Sequence, residues 1–224
     1  MIEFIFLIPV LFFCMFIIYS LAKNDFVLLR KNISLHELFD GVILSMMVGL
    51  LLARIFYIIE LNEWSWFHPF RFVHLAKLPG LSLFGFFIGV IPILYLFINK
   101  KKVLLRVYDI VFIALLPLFM YSIINRSYSL VVPGYIIQLL LAVAGLLVLW
   151  ICTKFYHNYT LKDGSIAMII SMFISIDLFI YGFVAEYSSL FMFLSFSQLC
   201  AVVLFLGSLI FLSLNQLNML NRKK

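Results

Sequence analysis

Long apolar runs alternate with short polar connections along the whole of the 224-residue chain. The runs cover about residues 2–22, 36–59, 81–99, 107–125, 134–153, 165–185 and 190–214. Each approaches or exceeds the roughly 18–20 residues that a helix needs to cross hydrocarbon. Inside a bilayer a helix satisfies its own backbone N–H and C=O groups, so helix is the expected backbone form. The pattern predicts an all-α integral membrane protein with seven transmembrane helices. It shows no repeat and no separate soluble region, so residues 1–224 read as one polytopic membrane domain. The first run is too long for a signal-peptide core and lacks a basic leader, so it reads as a retained span.

The connections carry the next signal. The longest, Glu60 to Gly80, holds Trp64, Trp66, Phe67 and His68, residues that settle at the headgroup level. Within it, Pro69 to Lys77 reads as a short amphipathic arm with Arg71, His74 and Lys77 at every third position. Connections after spans one, three and five, with the tail, hold Lys23, Arg30, Lys31, Lys100, Lys101, Lys102, Arg106, Lys154, Lys162, Arg222, Lys223 and Lys224. The opposite side holds only Arg71, Lys77 and Arg126. Basic residues stay in the cytoplasm, so the N-terminus and the arm are expected outside and the C-terminus inside.

Composition agrees. The chain is 66% hydrophobic and 12% charged, with a mean hydropathy of +1.18, which excludes an ordinary soluble domain. The net charge of +6 is spread over short connections and the tail, so it points to anionic lipid and not to nucleic acid. Cys14, Cys152 and Cys200 all lie within apolar runs, and nothing in their spacing suggests a metal site or a disulfide framework; no cofactor is expected.

The polar residues inside the runs are the candidate chemistry. Arg54 lies roughly 9 Å below the outer end of span two at about 1.5 Å per residue. Ser82 and Gln138 begin their spans at the outer side, and Arg126 and Glu186 sit at outer helix ends. Asp177 and Gln198 fall near the middle. An intramembrane arginine is costly unless paired or wetted, which makes it a candidate functional residue. Its planar donors suit a phosphate. The competing reading is a structural ion pair of Arg54 with Asp177. Asp40 and Asp109, near the inner boundary, read as boundary and capping residues. Gln138 and Gln198 read first as interhelical hydrogen-bond partners.

One stretch, Gly80-Leu-Ser-Leu-Phe-Gly-Phe-Phe-Ile-Gly89, opens span three with Gly85 and Gly89 on one face. Small residues so spaced let a second helix or a lipid chain approach the backbone. The stretch resembles the Gly-Met-Ser-Phe-His-Gly-Gly-Leu-Ile-Gly segment of prolipoprotein diacylglyceryl transferases, with the family's histidine falling on Phe84. Ala53-Arg54-Ile-Phe-Tyr57 resembles the family's Gly-Arg-Ile-Gly-Tyr. Tyr108-Asp109 followed by Pro117 resembles the Asp and Pro that precede the family signature. Pro133 to Gln138 is similar to its His-Pro-Ser-Gln-Leu-Tyr-Glu, with the histidine on Val132 and the glutamate on Gln138. Ala185-Glu186-Tyr187 is similar to its Val-Glu-Phe, with the family's nearby arginine on Gly182. Ser195-Phe-Ser-Gln198 is similar to its Ser-Met-Gly-Gln. The signature Gly-Arg-x-Gly-Asn-Phe-x-Asn-Gly-Glu is absent, and Tyr121 to Arg126 occupies its region.

The resemblance implies a protein of the bacterial cytoplasmic membrane. It would bind phosphatidylglycerol and transfer its diacylglyceryl group to the cysteine thiol of lipobox-containing preproteins. It implies Arg54, Ser82, Gly85, Gln138 and Gln198 as substrate-binding residues. Arg126, His74 and Glu186 are the candidates for catalysis, since the family's histidine is missing. The alternatives are a catalytically inactive lipid- or partner-binding protein of the same fold, and a small unrelated carrier.

Overall fold

The computed structural model describes residues 2–60, 82–98, 103–124, 134–184 and 196–222. Among these described residues are eight helices and no strand. They are α1 (Ile2–Lys23), α2 (Phe26–Arg30), α3 (Leu35–Glu60), α4 (Leu83–Ile98), α5 (Leu104–Ile124), α6 (Gly134–His157), α7 (Ser165–Val184) and α8 (Phe196–Arg222). Seven of them fall on the seven apolar runs. Four stretches, Leu35–Ile59, Leu104–Ile124, Leu139–His157 and Gln198–Leu217, are long and apolar enough to cross a membrane. Shorter apolar helices cover Pro9–Lys23, Phe84–Ile98 and Ser165–Ile180. The chain thus has the helix content and apolarity of a multi-pass membrane protein. The expected amphipathic arm lies outside the described residues.

Helix ends follow local chemistry. The connection after α1, expected as polar chain, contains the short helix α2. Asp25 caps it, one carboxylate oxygen accepting from the N–H groups of Val27 and Leu28 at 2.9 and 3.0 Å. Before α3, Ser34 and Glu37 form a reciprocal capping box. The Glu37 N–H donates to Ser34 Oγ at 3.1 Å and the Ser34 N–H to Glu37 Oε2 at 3.2 Å. Proline does not end the helices in which it occurs, at Pro9, Pro92 and Pro117.

The described chain divides into two compact units. The first, within residues 24–104, is built on α3 packed along α4. The second joins α1 to residues 105–224, with α7 and α8 packed closely and α6 against α7. Helix α5 is the buried helix of this unit; Ile110, Ile113, Leu116 and Ile123 have no exposed surface. It is apolar nearly all round, as a helix surrounded by others must be. Helix α6 leaves Leu139, Leu140, Leu146, Leu147 and Trp150 exposed, a surface suited to lipid.

Two of the boundaries that differ from the expected ones share one reason. Arg106, expected in the connection before span four, lies inside α5, which begins at Leu104, and is buried. Span seven was ended at Leu214, yet α8 continues through Asn215 and Gln216 to Arg222. In both places polar side chains find partners in the fold, so polarity does not end the helix.

Candidate functional site

In the first unit, a small-residue ladder brings α3 and α4 together. Gly49 and Ala53 on α3 face Gly89 and Gly85 on α4. A Cβ on Gly85 would lie 2.6 Å from the Leu52 carbonyl oxygen, 2.8 Å from Phe56 Cβ and 2.9 Å from Ala53 Cα. Of the two occupants that the sequence allowed at these glycines, the structure has a helix. Close approach sets the height of α4 against α3. Ser82, at the start of α4, donates its N–H to the carbonyl of Ala53 at 3.0 Å, and its Oγ accepts from the Gly85 N–H at 3.5 Å. Ser82 is therefore the N-cap of α4 and is buried.

Arg54 follows Ala53 directly and is 3% exposed. Its guanidinium carbon lies 5.9 Å from the ring centre of Tyr57, one turn further along α3. On the α4 side, Phe84 meets Phe56 edge to face at 5.7 Å between ring centres. Arg54, Tyr57, Phe56, Ser82, Phe84 and Gly85 are thus gathered at one end of the α3–α4 pair. The position aligned with the family's histidine carries a phenyl ring engaged with another phenyl ring, a group with no proton to exchange.

In the second unit, α7 carries a buried polar row. Ser171 and Ser175 donate back to the carbonyls of Ala167 and Ser171 at 2.8 and 2.7 Å, and Asp177 is fully buried beyond them. Gln198 on α8 is 2% exposed, and its Nε2 lies 3.5 Å from the Phe179 carbonyl oxygen on α7. That is the interhelical role expected of it. Arg54 and Asp177 belong to different units. His74, Arg126 and Glu186 lie outside the described residues, as does the side chain of Gln138. Among the described residues no group of three or more His, Cys, Asp or Glu side chains could hold a metal ion.

A third polar group surrounds Asp109, the expected capping residue, and draws in Arg106, Asp163, Ser165, Asn215 and Gln216, which the sequence did not single out. The Asp109 carboxylate accepts from the N–H groups of Gly164 at 2.7 Å and Ala167 at 2.8 Å. It caps α7 from α5, so Asp109 is a capping residue for a helix other than its own. Arg106, one turn earlier, lies against the ring of Tyr156 at 3.7 Å and that of Tyr159 at 4.7 Å, and meets Asp163 Oδ1 at 3.5 Å. Ser165 Oγ is the acceptor for Asn215 Nδ2 at 3.1 Å and Gln216 Nε2 at 2.7 Å. The available signals were the Arg106–Asp109 spacing on one helix face and the turn sequence Asp163-Gly164-Ser165.

A helical membrane protein with an intramembrane arginine fixed at a glycine-packed helix pair is the class that fold and site define. Residues 4–124 match the sequence model of the prolipoprotein diacylglyceryl transferase family. That stretch is more than half of the chain, and the protein belongs to this family. Among curated proteins nothing matches it. Family membership removes the unrelated-carrier alternative.

Proposed function

We propose that the protein is a divergent diacylglyceryl transferase-like membrane protein that binds phosphatidylglycerol, with Arg54 as the grip on the lipid phosphate. The observation that carries this reading is the placement of Arg54. It is held almost without exposure in an apolar helix, one residue past the Ala53 carbonyl to which Ser82 is tied. A guanidinium offers paired N–H donors that fit phosphate oxygens, and in a site removed from water such bonds are strong. Ser82 and Gly85 are proposed to complete the lipid site beside Arg54 in the first unit, and Gln138 and Gln198 are proposed as substrate-binding residues of the second. Seven spans, an outside N-terminus, a single membrane domain and a place in the bacterial cytoplasmic membrane belong to the same proposal.

Transfer to a lipobox cysteine needs two things. The phosphate must be held as it leaves, and the attacking thiol must lose its proton. Arg54 supports the first. Phe84, packed on Phe56, cannot serve the second. His74, His68 and Glu186 are the candidates for the missing base, and Arg126 is a candidate for a second grip on the phosphate. A positioned general base typically contributes about a hundred- to ten-thousand-fold. Weak or absent transfer is therefore expected, and the Phe84–Phe56 contact favours a second reading, a relative that binds lipid without transferring it.

The test is thioether lipidation of a lipobox peptide in phosphatidylglycerol vesicles. The unaltered protein should turn over slowly or not at all, and Phe84→His should raise the rate. Robust turnover by the unaltered protein that is insensitive to substitution of His68, His74 and Glu186 would place the chemistry elsewhere.

A further inference from the structure

The C-terminal end of α6 runs Trp150-Ile-Cys-Thr-Lys154-Phe-Tyr-His157. Trp150 and Lys154 are four apart and stand one above the other on the helix surface. The Lys154 ammonium lies 4.2 Å from the centre of the Trp150 ring. Trp150 is 58% exposed on a helix long and apolar enough to cross a membrane, a surface suited to lipid. Lys154 is exposed as well and has no carboxylate partner among the described residues. A ring face attracts an ammonium without supplying a conventional acceptor. The ammonium's N–H donors therefore still call for oxygen atoms at this depth.

The frame that carries the pair is fixed. Tyr156, two residues on, forms the floor of the Arg106 stack, and its carbonyl accepts from Arg106 at 3.5 Å. Arg106 in turn reaches Asp163 in the connection to α7. The end of α6 is thus tied to α5 and to that connection. The same lysine-over-aromatic arrangement recurs at the end of α1, where Lys23 lies 5.4 Å from the centre of the exposed Tyr19 ring. At both helix ends the carbonyl groups favour a cation.

We propose that the Trp150–Lys154 pair is a docking point for the headgroup of an anionic phospholipid. The indole lies beside the glycerol region and the ammonium meets the phosphate. A zwitterionic headgroup brings its own cation to compete with the lysine, whereas an anionic one is drawn to it. A soluble acidic protein is a poorer fit, because half the contact surface is an indole facing hydrocarbon. This site is separate from the one proposed at Arg54 and does not depend on it.

Trp150 is its own reporter. The chain has three tryptophans, and a Trp64→Phe/Trp66→Phe variant leaves Trp150 alone. The full-length variant is placed in phosphatidylcholine vesicles. The quencher is a minor, equal fraction of either brominated phosphatidylglycerol or brominated phosphatidylcholine. The anionic quencher should be about two- to fivefold more effective, the enrichment that one lysine at a membrane surface supports. High salt should reduce the preference, Lys154→Gln should abolish it, and Arg54→Leu should leave it intact. If the double variant fails to fold, the Trp150 signal is obtained by subtracting a Trp150→Phe protein from the unaltered one. Equal quenching by the two lipids, or a preference that survives Lys154→Gln, would overturn the proposal.

Discussion

A Cβ placed on Gly89 would lie 2.6 Å from the Cα of Gly49, so α3 and α4 meet backbone to backbone. A Cβ on Gly85, one turn away, would lie 2.9 Å from Ala53 Cα. Without a hydrophobic driving force between helices in lipid, such close packing is what holds a pair together. The same contact sets Ser82 against Ala53 and so fixes the neighbourhood of Arg54.

Gly89→Leu and Gly85→Leu should therefore separate the pair. Each forces side-chain atoms into backbone that has no flexible end to give way. Overpacking typically costs about 1–3 kcal/mol. Gly207 is the control, since a Cβ there meets nothing within 4 Å. Thermal unfolding in detergent should show clear loss for the first two and none for Gly207→Ala. Equal effects at all three sites would mean that the ladder does not hold the unit together.

The Asp109 cap predicts a stability effect in the second unit. Asp109→Ala leaves the buried N–H groups of Gly164 and Ala167 without their acceptor. An unsatisfied buried donor costs about 1–3 kcal/mol, so the variant should lose about 2 kcal/mol or more. Asp109→Asn keeps one acceptor oxygen and should recover part of the loss. Arg106→Lys should also destabilise, because an ammonium cannot stack its plane on Tyr156 and Tyr159 as a guanidinium does. Unfolding midpoints equal to that of the unaltered protein would show that these contacts are incidental.

Topology is open to direct labelling. Cysteines introduced at Ser65 and Ser127 should react with an impermeant thiol reagent added outside, and one at Asn158 should not. The native Cys14, Cys152 and Cys200 are buried and give little background. The reverse pattern would invert every depth inferred from the twelve-to-three charge bias, to which Arg106 contributes one residue despite its burial.

The helices were legible because apolar runs of bilayer length leave the backbone few choices. The starts of α6 at Gly134 and α7 at Ser165 fall where the sequence placed them. Arg54, Ser82 and Gly85 could be singled out by residue type and by resemblance. That Ser82 is tied to Ala53 could not, because it depends on how far the glycines let two helices close. Arg106 was misplaced because its partners, Tyr156, Tyr159 and Asp163, lie some fifty residues on. In sequence it stands near three lysines and looks like one more loop charge. The expected end of span seven at Leu214 fell short for a similar reason, since Asn215 and Gln216 bond to Ser165, some fifty residues earlier.

The measurement that bears most directly on the account is lipid bound to the purified protein with and without Arg54. Arg54→Leu and the double variant Arg54→Leu/Asp177→Leu would be purified in parallel with the unaltered protein. Co-purified phosphatidylglycerol and thermal stability would be measured on each. A buried arginine that serves only as half of an ion pair can be replaced, together with its partner, by apolar residues with little loss. An arginine that grips phosphate cannot be replaced without losing the lipid. The account predicts that both variants lose most of their bound phosphatidylglycerol, while Arg54→Leu alone unfolds at close to the original temperature. Unchanged phosphatidylglycerol on Arg54→Leu, together with a collapsed unfolding temperature, would contradict it and make Arg54 a structural residue.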